Sequence, residues 1–203
     1  MKRGKGSLFI ISAPSGAGKT TLCKKIVTTV DSLGQSVSFT TRKPRGGEVN
    51  DLDYTFIGEE EFREMIAGGD FVEWAEVHGN LYGTSRKRLE GLMDSGLDVI
   101  LDIDTQGAKQ IRRSYRDGVF IFILPPSIEI LRRRLEKRRS NSEEDMARRL
   151  GTAVDEIREY NTYDYVIIND VLKDSVKLLE AIIIAERHKT ERTDKSMIEK
   201  ILA

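Results

Sequence analysis

Apolar residues along this chain fall into two alternating patterns. Short unbroken runs at 8–11, 99–101, 119–124 and 165–168 have no polar face and predict strands covered on both sides. Between them apolar positions recur at helical spacing: Leu22, Ile26, Val27 and Val30, then the segments 108–115, 128–138, 146–160 and 176–185. Strand and helix in alternation predict a parallel sheet with helices on both faces. The stretch from Val37 to Gly91 breaks the rhythm. It offers short alternating strands at 37–40, 54–57 and 71–77, and a Gly79-Asn80 turn into Leu81-Tyr82. One short helix, 59–67, is stopped by Gly68-Gly69. This stretch reads as a small mixed lobe inserted into the core. A second insertion is helical: Ser127 is placed to cap one helix, and Ser142-x-x-Asp145 has the form of a capping box for the next.

Composition narrows the class. A chain of 203 residues can bury one α/β core and carry small inserted lobes. With 39% hydrophobic and 33% charged residues it has the balance of a folded protein, not a disordered one. Lys plus Arg equals Asp plus Glu at 33 each, which argues against nucleic acid as a partner, since that would need a basic excess. Cys23 stands alone, so no internal disulfide forms and a reducing compartment is expected. The apolar run behind the basic start is too short for a secretion signal, and no stretch approaches the length of a membrane span. A cytoplasmic protein with no membrane partner is expected.

Candidate chemistry begins directly after the first apolar run. Ala13-Pro14-Ser15-Gly16-Ala17-Gly18-Lys19-Thr20-Thr21 is a Walker A loop between a strand and a helix. Successive backbone N–H groups of such a loop converge on one anion. Gly16 and Gly18 let the backbone approach phosphate, Lys19 supplies charge to the β and γ phosphates, and the Thr20 hydroxyl can bind Mg²⁺. The usual first glycine is Ala13, whose methyl group fits if φ is negative there. No guanine-reading Asn-Lys-x-Asp of a GTPase occurs. The run 99–102 ends in Asp102, either a carboxylate near the metal or an ordinary strand end, with Asp104 next on the same strand face. A second cluster lies at 38–54. Arg42 and Arg45 straddle a turn set by Pro44 and Gly46-Gly47, which either aims two guanidiniums at one dianion or forms a solvated basic loop.

Thr-Thr-Arg-x-Pro-Arg-x-Gly-Glu-Val-x-x-x-Asp-Tyr at 40–54 resembles guanylate kinases. So do Phe71-Val72-Glu73-Trp74-Ala75, Tyr82-Gly83-Thr84 and Leu101-Asp102-Ile103-Asp104-x-Gln106-Gly107. The similarity runs from about Leu8 to Ala185. The resemblance implies a P-loop NTPase fold: a five-stranded parallel sheet flanked by helices (core 6–36, 92–127 and 160–190), a mixed GMP-binding lobe at 37–91 and a helical lid at 128–159. It implies ATP and GMP as substrates, Mg²⁺ as cofactor, and phosphoryl transfer from ATP to GMP. Arg42, Arg45, Tyr54 and Tyr82 match positions that hold the GMP phosphate, with Glu48 supporting the arginine pair. Ser38, Glu73 and Thr84 match those that read guanine, Thr84 standing where the family's usual residue is serine. Asp102 is assigned to the GMP side and, with Thr20, to the metal; Asn169 joins residues 13–21 on the ATP side. One carboxylate at Glu73 can accept from both guanine N1–H and the N2 amino group, whereas adenine presents an acceptor at N1.

Positive charge gathers in the segment 132–149, at Arg132, Arg133, Arg134, Lys137, Arg138, Arg139, Arg148 and Arg149. Any one of these taken alone reads as solvated; by family position Arg134, Arg138 and Arg149 reach phosphate, and with Lys19 and Arg42 they form the catalytic set. No side chain is poised as a base, and none is needed, because a phosphate monoester with a second pKa of about 6 is already largely dianionic. The rival readings are a guanylate-kinase-like module that binds protein without catalysis and a related P-loop kinase for another phosphate ester. The intact Gly18-Lys19-Thr20 opposes the first, and Ser38, Glu73 and Thr84 oppose the second.

Overall fold

The computed structural model describes residues 4–77, 79–136, 143–193 and 195–203. The chain opens with β1 (Leu8–Ser12), α1 (Lys19–Val27) and β2 (Leu33–Gln35). The inserted lobe follows as β3 (Phe39–Thr40), β4 (Thr55–Phe56), α2 (Glu59–Ala67), β5 (Phe71–Val77) and β6 (Asn80–Ser85). Next come α3 (Arg86–Asp94), β7 (Asp98–Asp102), α4 (Thr105–Ser114), β8 (Val119–Leu124), α5 (Ile128–Glu136) and α6 (Glu143–Arg158). A 3-10 turn at Glu159–Thr162 leads to β9 (Tyr165–Ile168), α7 (Leu172–Arg187) and α8 (Lys195–Leu202). No described helix is long and apolar enough to cross a membrane.

Five strands form one parallel sheet in the order β2-β7-β1-β8-β9. β1 is central, with Ile10 paired to Leu101 on one side and to Phe120 on the other. Its unbroken apolar run follows from this position, since alternate side chains feed two cores. Phe9 and Ile11 join Leu22, Ile26, Leu179 and Ile183 beneath α1 and α7. Leu8 and Ile10 join Leu89, Met93, Leu101 and Ile111 beneath α3 and α4. Each such side chain contributes about 1.5–3 kcal/mol by leaving water.

Two core elements lack the expected apolar signal. β2, Leu33-Gly34-Gln35, has one buried residue and is held as a strand by pairing Gly34 with Val99. α3 buries only Leu89 and Met93 and starts where Ser85 Oγ accepts the Arg88 N–H. Asp104, expected on the strand, is instead the cap of α4, its Oδ1 accepting the Gly107 N–H at 2.8 Å. The carboxylate competes for a free helix N–H better than the sheet does for one more residue.

The lobe is a four-stranded sheet in the order β4-β3-β6-β5. Its own small core is Phe39, Phe62, Phe71 and Leu81, with Phe62 and Phe71 stacked at 4.5 Å. A β-bulge interrupts β5: Phe71 faces Ser85 but Glu73 faces Thr84, leaving Val72 as the extra residue. Phe71 therefore packs in the lobe, Val72 enters the main core beside Leu89 and Ile111, and Glu73 turns to the opposite face. Gln110 of α4 completes the anchorage, accepting from the Trp74 N–H at 3.1 Å and donating to the Trp74 carbonyl at 2.7 Å.

The segment expected to form a lid is α5 and α6, joined by Leu131, Leu135 and Ala153. Ser127 caps α5 as expected, its Oγ accepting the Ile130 N–H at 3.2 Å. Arg138 and Ser142, and with Ser142 the expected capping box, lie outside the described residues.

A Cβ on Gly83 would lie 2.9 Å from Phe71 Cδ1 and 3.0 Å from Phe62 Cζ. Gly83→Ala is expected to lower stability by about 1–3 kcal/mol through overpacking. Urea unfolding checks this: a lower midpoint with an unchanged slope is expected, and an unchanged midpoint would show that the aromatic stack has room.

Candidate active site

Residues 13–18 turn from the end of β1 into α1 with Gly16 and Gly18 at φ +94° and +93°. That left-handed conformation suits glycine. The described non-glycine residues with positive φ are Ser32 and Asp51, so Ala13 keeps the ordinary backbone its methyl group needs. The Ala17 N–H closes the loop onto Pro14 O at 3.1 Å. Asn169, buried just beyond β9, donates from Nδ2 to Ala17 O at 2.7 Å and lies where a Cβ on Gly18 would clash. It braces the loop.

Lys19 opens α1, and its Nζ reaches across to β7. It lies 2.6 Å from Asp102 Oδ1 and donates to Ile103 O at 2.5 Å. Burial alone would lower this ammonium's pKa, but Asp102 beside it outweighs burial and holds it above the ordinary value. Thr20 and Thr21 are exposed on the first turn of α1.

Arg42 leaves β3 and meets Glu48 in a two-pronged pair, Nη1 to Oε2 at 3.0 Å and Nη2 to Oε1 at 2.9 Å. Glu48 Oε2 also accepts the Arg45 backbone N–H at 2.7 Å. One carboxylate thus fixes the turn and the first guanidinium, while the Arg45 side chain stays exposed. The Arg42 guanidinium holds the Glu48 carboxyl below the usual range, and Glu48 raises Arg42 in return. Tyr54 lies beneath Arg42 at 5.2 Å and meets Tyr82 edge-on. Ser38 is half-buried just before β3, and its carbonyl accepts the Thr55 N–H.

Glu73 is only 4% exposed. Its Oε1 accepts the Thr84 hydroxyl at 2.5 Å, and its Oε2 lies 2.6 Å from where a Cβ on Gly107 would stand. Burial pushes this carboxyl up to about 7, partly offset by the Thr84 hydrogen bond. Asp104 and Lys19 are both near enough to act on its charge. Glu73 thus stands against Gly107 in the first turn of α4, five residues beyond the Asp102 that pairs with Lys19.

The lid arginines divide cleanly. Arg132 pairs with Glu136 and Arg148 with Asp145 at the exposed surface, as the solvated reading had it. Arg134 instead donates to Asn169 O at 3.0 Å and Ala17 O at 3.3 Å. Arg149 donates from Nη2 to Ser15 Oγ at 3.0 Å. Arg138, the third expected lid arginine, lies outside the described residues, as does His78. His188 bonds to Ile184 O of its own helix, and Cys23 is buried in the core.

The guanylate kinase family model matches residues 5–186 of this chain. The chain belongs to the guanylate kinase family. It is 54% identical over 200 residues to the guanylate kinase of Geobacter metallireducens, covering 98% of each protein. It is 48% identical over 198 residues to that of Symbiobacterium thermophilum, covering 98% of this chain and 94% of the relative. Among solved structures, guanylate kinase from Anaplasma phagocytophilum matches with a TM-score of 0.78 at 37% identity, covering 95% of this chain and 92% of that one. Shikimate kinase from Bacteroides thetaiotaomicron matches with a TM-score of 0.50 at 16% identity, over 87% of this chain and 98% of that one, a likeness of fold alone. The P-loop NTPase fold expected of a guanylate kinase is the fold observed.

Two residues of the site escaped the sequence reading. Glu156 on α6 is half-buried, and burial pushes its carboxyl up to about 7. The available signal was its position seven residues after Arg149, on the same helix face. Tyr163, at the root of the lid, stacks on Phe122 at 4.5 Å and reaches the buried Ser12 with its hydroxyl. No periodicity marks it.

Glu73 makes stability depend on pH. With its folded pKa at about 7 against an ordinary 4.5, the folded form binds the extra proton between those values. Stability therefore falls as pH rises from 4.5 to about 7 and stays low above that. Glu73→Gln removes this dependence. Without nucleotide the variant is expected to match the parent near pH 4 and to exceed it near pH 8 by roughly 3 kcal/mol. Urea unfolding across that range is the measurement; a constant difference would show that Glu73 ionises as an ordinary carboxyl.

Proposed function

We infer that this chain transfers the γ-phosphoryl group of ATP to GMP, giving ADP and GDP, and that the residues above divide this work. The observation that carries the reading is the buried Glu73–Thr84 pair set against Gly107 at the start of α4, five residues beyond the Asp102 that pairs with Lys19 of the phosphate loop. A phosphate cradle alone would suit any P-loop enzyme. A buried carboxylate beside it suits a base with two adjacent N–H donors, which is guanine.

Loop residues 13–21 hold the donor's phosphates through backbone N–H groups, with Lys19 supplying charge at the β and γ positions. Asn169 acts on this site from behind the loop. Arg42, Arg45, Tyr54 and Tyr82 hold the GMP phosphate; Arg42 comes already oriented by Glu48, which reduces the ordering cost on binding. Ser38, Glu73 and Thr84 read the base, and Asp102 borders the GMP side next to Lys19. Arg134 and Arg149, joined by Arg138 on family position, neutralise the transferring group from the lid and exclude water from it. The nucleophile is the GMP phosphate, so the protein's task is to align two anions that repel each other.

Magnesium fits this site. The exposed Thr20 hydroxyl and the Asp102 carboxylate are hard oxygen donors, and an ion carried in with phosphates needs few protein ligands. Among the described residues no group of three His, Cys, Asp or Glu forms a dedicated metal cage. When bound, Mg²⁺ would neutralise charge on the donor's phosphates. The balanced charge and single buried cysteine support a cytoplasmic enzyme that does not bind nucleic acid.

Two variants test this reading. Lys19→Ala is expected to stay folded by circular dichroism, yet to lose nearly all ADP release in a coupled assay with ATP and GMP; wild-type turnover would place the donor site elsewhere. Glu73→Gln puts an NH₂ donor where guanine needs an acceptor and removes a charge-assisted bond worth about 1.5–3 kcal/mol. Its kcat/KM for GMP is expected to fall about tenfold or more while the ratio of AMP to GMP use rises. Unchanged kinetics and preference would remove Glu73 from base recognition.

A further inference from the structure

Three consecutive residues of β5 are received by one face of α4. Gln110 and Ile111 follow Gly107 by three and four residues, so all three line up along the helix. Val72 shares a buried cluster with Ile111. Glu73 Oε2 stands 2.6 Å from where a Cβ on Gly107 would lie. Trp74 is held through its backbone: its N–H donates to Gln110 Oε1 at 3.1 Å, and its carbonyl accepts from Gln110 Nε2 at 2.7 Å. β5 is an edge of the lobe sheet, and the outward-facing groups of an edge strand are ordinarily left to water. One side-chain amide here stands in for the missing strand.

The helix that supplies this amide is itself fixed. Asp104 caps its first turn, accepting the Gly107 N–H at 2.8 Å, and Ala108 and Ile111 are buried in the main core. Lys109 pairs with Glu159 at 2.6 Å, while Arg112 donates to Thr162 O and lies 3.6 Å over the Phe120 ring. Gln110 therefore passes the frame of the core to the residue next to Glu73. Glu73 needs such a reference. Its Oε1 is held by Thr84 of β6, a strand of the lobe itself, so that bond alone does not fix the carboxylate against α4. The bulge disrupts the ladder just before Glu73, and Gln110 supplies a fixed point just after it.

We propose that Gln110 is a positioning residue for guanine selectivity: by pinning Trp74 it sets the height and tilt of the Glu73 carboxylate against Gly107. The inference rests on the reading that Glu73 accepts from guanine N1–H and the N2 amino group. Two parallel donors demand both a position and an orientation of one carboxylate, because a tilt that keeps one bond lengthens the other. Hypoxanthine, with an N1–H and no N2 amino group, makes a single bond and tolerates the tilt. Gln110 thus separates the two bases without touching either. A carboxylate already in place also spares the nucleotide the cost of ordering it.

The test is the kinetics of Gln110→Met, which keeps length and removes both hydrogen bonds, and of Gln110→Glu, which keeps an acceptor for the Trp74 N–H and loses the donor. GMP and IMP are compared with ATP as phosphoryl donor, IMP being assayed both as a substrate and as a competitor of GMP. In both variants KM for GMP is expected to rise about three- to tenfold, with kcat and KM for ATP within about twofold of the parent. The preference for GMP over IMP is expected to fall about threefold or more. A residue that only supports the fold would lower the melting temperature and leave this preference alone. An unchanged preference in folded variants would overturn the inference. Glu73→Gln in the same assay separates the two readings. If it too keeps the preference, the assignment of Glu73 falls and the inference with it; if it loses the preference while both Gln110 variants keep it, the inference alone falls. Loss of folding in both Gln110 variants, seen by circular dichroism, would make Gln110 a structural residue, also against the proposal.

Discussion

Four cations must be brought within reach of one another and kept in place, and this requirement organises the site. Lys19, Arg42, Arg134 and Arg149 would repel one another and lose hydration if they were simply crowded together. Each is instead held by fixed oxygens: Asp102 and Ile103 O for Lys19, Glu48 for Arg42, the Asn169 and Ala17 carbonyls for Arg134, and the Ser15 hydroxyl for Arg149. These oxygens come from elements far apart in sequence. β7 ends where it does so that Asp102 lies opposite Lys19, and β9 ends where Asn169 can reach behind the loop. The charge arrangement and the strand order are therefore one constraint seen twice.

The same logic explains why much of this fold could be read from the sequence. A central strand covered on both faces has no choice but an unbroken apolar run, so β1, β7, β8 and the phosphate loop behind β1 were visible. β2 was not, because Leu33-Gly34-Gln35 borrows its conformation from its neighbour instead of declaring it. α3 begins with Arg86-Lys87-Arg88 and buries two side chains on one turn, too little for periodicity to register. Among the site residues, Lys19, Arg42, Glu73 and Thr84 sit in motifs whose spacing is local. Glu156 depends on α5 folding back over Gly16, a tertiary event that no local pattern encodes. The basic lid segment shows the limit most clearly: eight cations look alike in sequence, and only packing separates Arg134 and Arg149 from Arg132 and Arg148.

The residues that bind the two halves together are modest ones. Gly107 has no side chain and so leaves Glu73 its place, while Asp104 caps α4 so that Gly107 stands there at all. Ser12 and Tyr163 join the end of β1 to the root of the lid. None of these contacts substrate in the reading given above, yet each fixes the position of a group that does.

The bulge in β5 has a mechanical meaning. Because Val72 is sunk in the main core and Trp74 is gripped by Gln110, the lobe is bolted to α4 at the strand that carries Glu73. The far side of the lobe, β3 and β4, is tied to the core through α3, where Arg88 donates to Thr55 Oγ1 at 2.6 Å and lies over the Phe39 ring at 4.4 Å, and at the surface through the Lys24–Asp53 ion pair. The carboxylate proposed to read guanine therefore stands in the frame of the core, while the strands next to the arginine proposed to hold its phosphate are tied in through Arg88 and Lys24.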